Sequence, residues 1–145
     1  MSRAAVLRGV TAAVALIGLG IAAYLTVVHY TGTAPACAIA HGCEVVQSSA
    51  YASLAGVPVA LLGLLGYVAI LAALARDGEE WRTAAAFLSL AGLGFSAWLT
   101  YVEVGVLHAI CIWCVGSAVC MVLLAGLSVA RLLSAPAPRP TGPRG

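Results

Sequence analysis

The pattern Cys111-Ile112-Trp113-Cys114 is the part of this sequence with the clearest capacity for chemistry. Two residues separate the cysteines, so at the start of a helix both sulfurs lie on the first turn, close enough to form a disulfide. The N-terminus of a helix stabilises a thiolate, which makes the first sulfur reactive. A purely structural disulfide across so short a loop would constrain the unfolded chain very little. The spacing therefore favours a redox-active pair.

A second pair, Cys37 and Cys43, lies six residues apart earlier in the chain. It could be a disulfide that staples a loop, or a shuttle that exchanges disulfides with an external thiol protein and with the first pair. A third interpretation is a zinc or copper site. The ligands of such a site would come from Cys37, His41, Cys43, His108, Cys111 and Cys114. The residues alone leave all three interpretations open. The fifth cysteine, Cys120, is expected to be a small apolar packing residue.

The elements that carry these cysteines are predicted to be transmembrane helices. Of the 145 residues, 63% are hydrophobic and only 8% are charged, whereas about a quarter of the residues are charged in soluble domains. Four uncharged stretches are long enough to cross about 30 Å of hydrocarbon. They predict an all-α membrane protein, a bundle of four helices at about 9–29, 57–75, 83–102 and 109–131. A soluble bundle is excluded because these segments have no polar face.

The distribution of arginine predicts how the helices are oriented. The chain has seven arginines and no lysine. With four spans all of them fall on one side, which the positive-inside rule makes cytoplasmic together with both termini. They are Arg3, Arg8, Arg76, Arg82, Arg131, Arg139 and Arg144. The net charge of +2 is therefore a topology signal rather than a nucleic-acid-binding patch, and the loop 30–56 faces outward with Cys37 and Cys43.

The two ends of the chain carry no catalytic signal. Arg3 and Arg8 precede an apolar run of 20 residues, which is longer than the core of a cleaved signal peptide. Ala34-Pro35-Ala36-Cys37 resembles a lipoprotein cleavage site but lies eight residues beyond that run, so no cleavage is expected. Residues 1–132 are predicted to form the membrane domain, and the proline-rich segment 133–145 a disordered cytoplasmic tail.

The first half of the sequence echoes the second. The segment from Gly18 to Thr26 matches the segment from Gly92 to Thr100 at an offset of 74 residues, and the same offset relates Cys37 to Cys111. This register favours a parallel internal repeat over a chance likeness between two glycine-rich apolar helices.

Several motifs, in order along the chain, give it a family resemblance. They are Tyr24-Leu25-Thr26, Cys37 with Cys43, Ser48 to Tyr51, Gly56 to Gly63, Trp98 to Glu103, and Cys111 to Cys114. In these motifs the chain resembles the bacterial homologues of vitamin K epoxide reductase (VKOR) over about residues 10–130.

The resemblance implies a four-helix bundle that encloses a quinone site, with the C-x-x-C pair beside the quinone. It implies that Cys37 meets a thioredoxin-fold partner and that Cys43 exchanges with Cys111. Cys114 would be the sulfur that reduces the quinone, which is either ubiquinone or menaquinone. Ser49 matches a serine near the quinone and the catalytic cysteine.

The sequence departs from the vertebrate enzymes of this family at two positions. Pro58-Val59 stands where they carry a polar amide, and Ala118 where they carry a tyrosine. These departures argue against transferring epoxide reduction to this chain. Many bacterial members also carry a fused thioredoxin-like domain, whereas this chain is expected to be a stand-alone form.

The resulting prediction is a quinone-dependent thiol oxidoreductase of the bacterial inner membrane. It would reoxidise a separate periplasmic partner resembling DsbA and so support disulfide bond formation. The competing hypothesis is a metal-binding or metal-transporting membrane protein that uses the cysteine and histidine cluster.

Overall fold

The computed structural model describes residues 2–37, 42–135 and 142. In these residues the chain forms four long helices, a short helix, and a small hairpin between them. The long helices are α1 (Arg3–Thr31), α3 (Val59–Leu74), α4 (Glu79–Tyr101) and α5 (Ile112–Leu133). The shorter elements are α2 (Gly42–Ser48), a 3₁₀ turn (Ala50–Ala52), β1 (Ser53–Leu54), β2 (Val57–Pro58) and a π-helical segment (Val102–Leu107) that continues α4. The strands β1 and β2 pair antiparallel.

The four long helices form a ring in which each packs against two others. The contacting pairs are α1 with α3, α3 with α4, α4 with α5, and α5 with α1. Within the described residues three helices are long and apolar enough to cross a membrane, namely α1, α4 with its π-helical extension, and α5, while α3 is apolar but has 16 residues. The prediction of an apolar helical bundle is confirmed in this form.

All helix bounds differ somewhat from the predicted spans, and the differences that bear on the cysteines lie at the C-terminal end of α4 and the N-terminal end of α5. The predicted third span ended at residue 102, but the helix continues through the π-helical segment to Leu107. The predicted fourth span began at residue 109, but α5 begins at Ile112 because His108 takes a left-handed conformation with φ of 50°. Cys111 is then extended and caps the helix. The chain therefore turns sharply just before the C-x-x-C pair.

The buried face of α1 explains how this helix packs. Thr11, Ala15, Gly18, Ala22 and Leu25 are buried at intervals of four and three residues, the spacing that keeps one stripe of a helix against its neighbours. Most of these residues are small, and small residues let helices in a membrane approach closely.

Two glycines admit large side chains from neighbouring helices. A Cβ at Gly18 would overlap the ring of Tyr67, and a Cβ at Gly92 would overlap the side chain of Met121. Tyr67 is fully buried in α3, and its hydroxyl lies 2.8 Å from Ser117 Oγ in α5. The two glycines are 74 residues apart, so the repeat seen in the sequence corresponds to two similar packing contacts.

The two ends of the bundle differ in chemistry. At one end Arg8 Nη1 lies 3.0 Å from Asp77 Oδ1, and Arg82 and Arg131 border the same depression. The opposite end carries α2, the hairpin and the C-x-x-C pair. The chain enters α3 at the cysteine end and leaves it at the arginine end. The predicted disordered tail falls largely on residues 136–141 and 143–145, which lie outside the described residues.

The predicted outer loop 30–56 contains more regular structure than a loop. Helix α1 extends to Thr31 and ends at Gly32, whose φ of 67° needs a residue without a side chain. After the undescribed residues 38–41, the segment forms α2, the 3₁₀ turn and the first strand of the hairpin. Together these elements cover the cysteine end of the bundle.

Candidate functional site

The C-x-x-C pair lies at the N-terminus of α5. Cys111 is the N-cap residue, and its sulfur accepts a hydrogen bond from the backbone N–H of Cys114 at 3.4 Å. Cys111 is fully buried and Cys114 is partly exposed. Both thiols are free, so the pair stands in its reduced form.

The second pair is joined, since Cys37 and Cys43 form a disulfide. Cys43 is fully buried near the start of α2. The preceding residue, Gly42, lies so close to the carbonyl of Ile110 that an added Cβ would overlap it. Because Gly42 and Ile110 directly precede Cys43 and Cys111, this contact brings the loop disulfide up to the C-x-x-C pair.

Two aromatic side chains hold the segment that carries Cys37. The backbone N–H of Ala36 donates to the Tyr24 hydroxyl at 2.8 Å, and the indole N–H of Trp113 donates to the Ala36 carbonyl at 2.7 Å. The rings of Tyr24 and Trp113 are themselves in contact, with centroids 4.8 Å apart. Since Trp113 lies between the two cysteines of the C-x-x-C pair, these contacts connect the segment that carries Cys37 directly to the C-x-x-C segment.

The environment of Cys111, which precedes the membrane-spanning helix, favours its thiolate. The hydrogen bond with the Cys114 thiol is the largest influence, and the backbone N–H groups of Cys114 and Trp113 act in the same direction. Burial and the nearby Glu103 carboxylate oppose them. The net result lowers the pKa of Cys111 from 9.0 to about 7, so a large share of this sulfur is thiolate at neutral pH.

The lowered pKa gives a pH dependence that can be measured. In the reduced protein we expect the ultraviolet thiolate absorbance of Cys111, taken as the difference from Cys111→Ala, to be half developed near pH 7. It should decline as the pH falls below that value because the thiolate is then protonated. In Cys114→Ala the hydrogen bond is lost, and the midpoint should rise towards the ordinary value of about 8.5. Cys120→Ala is the control with an unchanged midpoint. An unchanged midpoint in Cys114→Ala would contradict this account.

A cavity of about 340 Å³ opens beside the Cys114 sulfur. Its wall is mostly apolar and is built from the four long helices, the π-helical segment, α2 and the residues that follow α2. The polar residues that border it are Gln47, Ser49, Tyr67, Ser96, Thr100, Glu103 and Ser117. A volume above about 300 Å³ with an apolar wall and a few polar groups is typical of a small-molecule site. Its size and lining fit the flat, largely apolar head group of a quinone.

Two polar residues stand at the reactive edge of this cavity. The Gln47 amide nitrogen lies 3.6 Å from the Cys114 sulfur and donates to it. The hydroxyl of Ser49, which the family resemblance had indicated, donates to the Val46 carbonyl at 2.7 Å, so its oxygen can still accept a hydrogen bond.

Val59 and Ala118, the positions that depart from the vertebrate pattern, also line the cavity. The polar groups available to a quinone in this protein are therefore different ones.

Glu103 is a residue that the sequence analysis did not assign to the site. It directly follows the predicted third span of 83–102, yet it is only 4% exposed. Its Oε2 accepts a hydrogen bond from the backbone N–H of Cys111 at 3.1 Å. The sequence did contain an indication of this role. An acidic residue that lies within a membrane-spanning helix marks a functional position, and Glu103 directly follows the apolar stretch of the third span.

The structure also bears on the other cysteine and histidine predictions. Cys120 belongs to the buried hydrophobic core, which confirms its packing role. Among residues 2–37, 42–135 and 142, no group of three histidine, cysteine or acidic side chains is arranged to hold a metal ion. His41, a candidate ligand, lies outside the described residues, and His108 is exposed.

Comparison with sequence models of known protein families gives a match to the vitamin K epoxide reductase family over residues 10–129. The matched region contains all four long helices except the ends of α1 and α5, both cysteine pairs, and the cavity.

Proposed function

Because this chain belongs to the vitamin K epoxide reductase family, whose members are membrane thiol oxidoreductases linked to quinone, we propose that it reoxidises a thioredoxin-fold partner resembling DsbA. The electrons pass from the partner to Cys37 and Cys43, then to Cys111 and Cys114, and finally to ubiquinone or menaquinone. The product on the partner side is a new protein disulfide.

One observation carries this proposal, namely that the C-x-x-C pair adjoins the segment of Cys43 on one side and the apolar cavity on the other. On one side, the contact of Gly42 with Ile110 keeps Cys43 beside Cys111. On the other side, the Cys114 sulfur borders the cavity. A pair of thiols that borders both a second disulfide and a site for an apolar ring is suited to relay electrons from protein thiols to a lipid-soluble acceptor.

The relay consists of four thiol–disulfide exchanges. A thiolate of the partner attacks the Cys37 sulfur and Cys43 leaves as a thiolate; the second thiol of the partner then frees Cys37 and takes the disulfide away. Cys43 attacks Cys111 in the inner disulfide and Cys114 leaves as a thiolate. Cys37 attacks Cys43, which restores the loop disulfide and releases Cys111. The inner pair now holds both electrons; the arrangement of the structure, with the loop pair joined and both inner thiols free, is compatible with this stage of the cycle.

The last step returns the inner pair to its disulfide. Cys111 and Cys114 together lose two electrons and two protons, and one S–S bond forms between them. A bound quinone supplies the oxidising power, since it takes up two electrons and two protons to become a quinol. The protein residues align the Cys114 sulfur with the cavity, where Gln47 donates to that sulfur, and the apolar wall excludes water.

The position of the arginines supports a bacterial inner-membrane location with four spans. Arg8, Arg82 and Arg131 border the end of the bundle away from the cysteines, which corresponds to a cytoplasmic face by the positive-inside rule. The cysteine end then faces the periplasm, where disulfides persist. Helix α3 runs between the same two ends as the longer helices and is counted as the fourth span.

The test is quinone-dependent oxidation of a reduced DsbA-like protein by the purified, detergent-solubilised chain. We expect one quinol for each disulfide formed, with no oxidation when quinone is omitted. Ubiquinone and menaquinone analogues are compared in parallel, and thiol loss and quinol absorbance are followed together. Absence of oxidation with every quinone would refute the proposal. Purification with stoichiometric zinc or copper on reduced cysteines would favour the metal-binding alternative instead.

A further inference from the structure

Glu103 is a buried carboxylate at the junction of the C-x-x-C pair and the cavity. Its Oε2 accepts from the Cys111 backbone N–H at 3.1 Å, its side chain also interacts with the Cys114 thiol, and the residue borders the cavity. In the described part of the chain no cationic side chain forms an ion pair with it. A buried acid without a cation is costly in a membrane protein and marks a functional position.

The local backbone explains why this acid points inward. Glu103 lies in the π-helical segment Val102–Leu107, and its carbonyl oxygen accepts from the Ala109 N–H at 3.0 Å. Short π-helical segments occur often at functional sites because they realign the residues of one turn. The turn at His108 then brings the chain back, so that Cys111 lies against the carboxylate. The π-helical end of α4 therefore places the buried Glu103 carboxylate beside the thiols of the C-x-x-C pair.

We infer that Glu103 is the base that accepts the proton of the Cys114 thiol and delivers it to the quinone in the cavity. This inference rests on the proposed function. The proton moves from Cys114 Sγ to a Glu103 carboxylate oxygen and from there to a quinone oxygen, and Glu103 ends as it began. The Cys111 proton is released to water at the outer face, from which the quinone takes its second proton. The two electrons come from the two sulfurs as their S–S bond forms.

The groups around Glu103 leave it as the residue suited to this role. On α5, the thiols of Cys111 and Cys114 lie near Glu103. On α3, the Tyr67 hydroxyl borders the cavity but is hydrogen-bonded to Ser117.

The remaining polar groups near Glu103 are not suited to the transfer. On α2, the sulfur of Cys43 is held in a disulfide, and Glu44 is exposed. On its own segment His108 is exposed. A carboxylate and a thiol in contact in an apolar site share one proton, which is the condition for passing it on.

The test begins with Glu103→Gln, which keeps an oxygen for the Cys111 N–H but cannot carry a proton. The rate of quinol formation by the pre-reduced protein should fall about a hundredfold, as expected for loss of general-base catalysis. Glu103→Asp keeps a carboxylate with a shorter reach and should retain at least ten times the rate of Glu103→Gln. Glu80→Gln, the same change at an exposed position at the other end of α4, should stay within twofold of wild type. Equal rates for the Asp and Gln variants, or a Gln variant within twofold of wild type, would overturn the inference.

A second measurement needs no quinone and separates this inference from the proposed function. In a Cys111→Ala, Cys120→Ala background with the loop disulfide intact, Cys114 is the free thiol, and its S–H stretching band is followed by infrared spectroscopy. With Glu103 present the band should lie at a lower frequency than in Glu103→Gln, because a carboxylate accepts a stronger hydrogen bond than a neutral amide. Glu103→Asp should resemble Glu103 and serves if the Gln variant does not assemble. A band that no substitution moves would overturn the inference, whereas a wild type that reduces no quinone would refute only the proposed function.

Discussion

Cys114→Ala is expected to abolish quinone-dependent thiol oxidation and to accumulate a disulfide between Cys43 and Cys111. Without Cys114 the inner disulfide cannot form, so no electrons reach the quinone. The thiolate of Cys111 can still attack the Cys43 sulfur of the loop disulfide, and Cys37 then leaves as a thiolate. In wild type two thiols can dissolve this bond, Cys37 by attack on Cys43 and Cys114 by attack on Cys111. The variant keeps only the first route, so the Cys43–Cys111 disulfide is expected in a larger share of the molecules than in wild type. Non-reducing digestion and mass spectrometry identify the pairing directly.

The pairing is as informative as the loss of activity. Gly42 touches the Ile110 carbonyl, so the cysteine that follows Gly42 is the one beside Cys111. Cys37 follows Ala36, whose backbone is hydrogen-bonded to Tyr24 and Trp113. Cys120→Ala, which removes a sulfur from the core, should leave oxidation within twofold of wild type. A Cys37–Cys111 disulfide in Cys114→Ala, or residual quinone-dependent activity, would contradict the order of exchanges proposed here.

The sequence predicted the helical bundle because hydrophobicity in a membrane protein is a property of whole segments. Runs such as Gly9 to Val28 need no tertiary information to be read as apolar helices. The start of α5 could not be predicted to the residue, since only a small share of histidines adopt the left-handed conformation that His108 takes, and the residue type alone does not show which ones do. The same holds for the π-helical continuation of α4, which extends the helix through Glu103.

The candidate site could be proposed from the sequence where it depends on residue types, but not where it depends on contacts between distant residues. The spacing of the four cysteines indicates two pairs, and their proposed order of exchange comes from the family resemblance. Gln47 and Glu103 were not assigned roles, because nothing local indicates that an amide and a carboxylate far apart in the sequence both reach the Cys114 sulfur. The role of Trp113 as a hydrogen-bond donor to Ala36 is likewise a product of the fold.

In the structure the loop pair is joined by a disulfide and the inner pair is not. In the proposed cycle this distribution follows the exchange between the two pairs and precedes electron transfer to the quinone. The two thiols are then ready to react, with the Cys111 pKa lowered and Cys114 bordering the cavity. Progress of the cycle depends from this point on the acceptor and on the movement of protons, rather than on the thiol partner.

The second large effect is expected for Gly42→Ala, which should slow the transfer between the two cysteine pairs about a hundredfold. The new Cβ would overlap the backbone carbonyl of Ile110, and a backbone atom cannot rotate away as a side chain can. Helix α2 must therefore move outward, and it carries Cys43 with it. A displacement of about 1 Å between reacting groups is enough for a loss of this size. Alanine is a better helix former than glycine, so the loss does not come from weakening α2.

The effect is measured as the rate at which the Cys43–Cys111 disulfide forms in a Cys114→Ala background. Gly9→Ala is the matched control, because no atom lies within 4 Å of a Cβ at that position. In the presence of Cys114, Gly42→Ala should slow electron transfer from chemically reduced Cys111 and Cys114 to quinone far less than it slows the transfer between the pairs, since most of the cavity wall comes from the long helices and α2 contributes Val46 and Gln47. Equal disulfide formation in Gly42→Ala and Gly9→Ala would show that the contact does not position the relay. Loss of the quinone step as well would show instead that the substitution disturbs the whole cysteine end of the bundle.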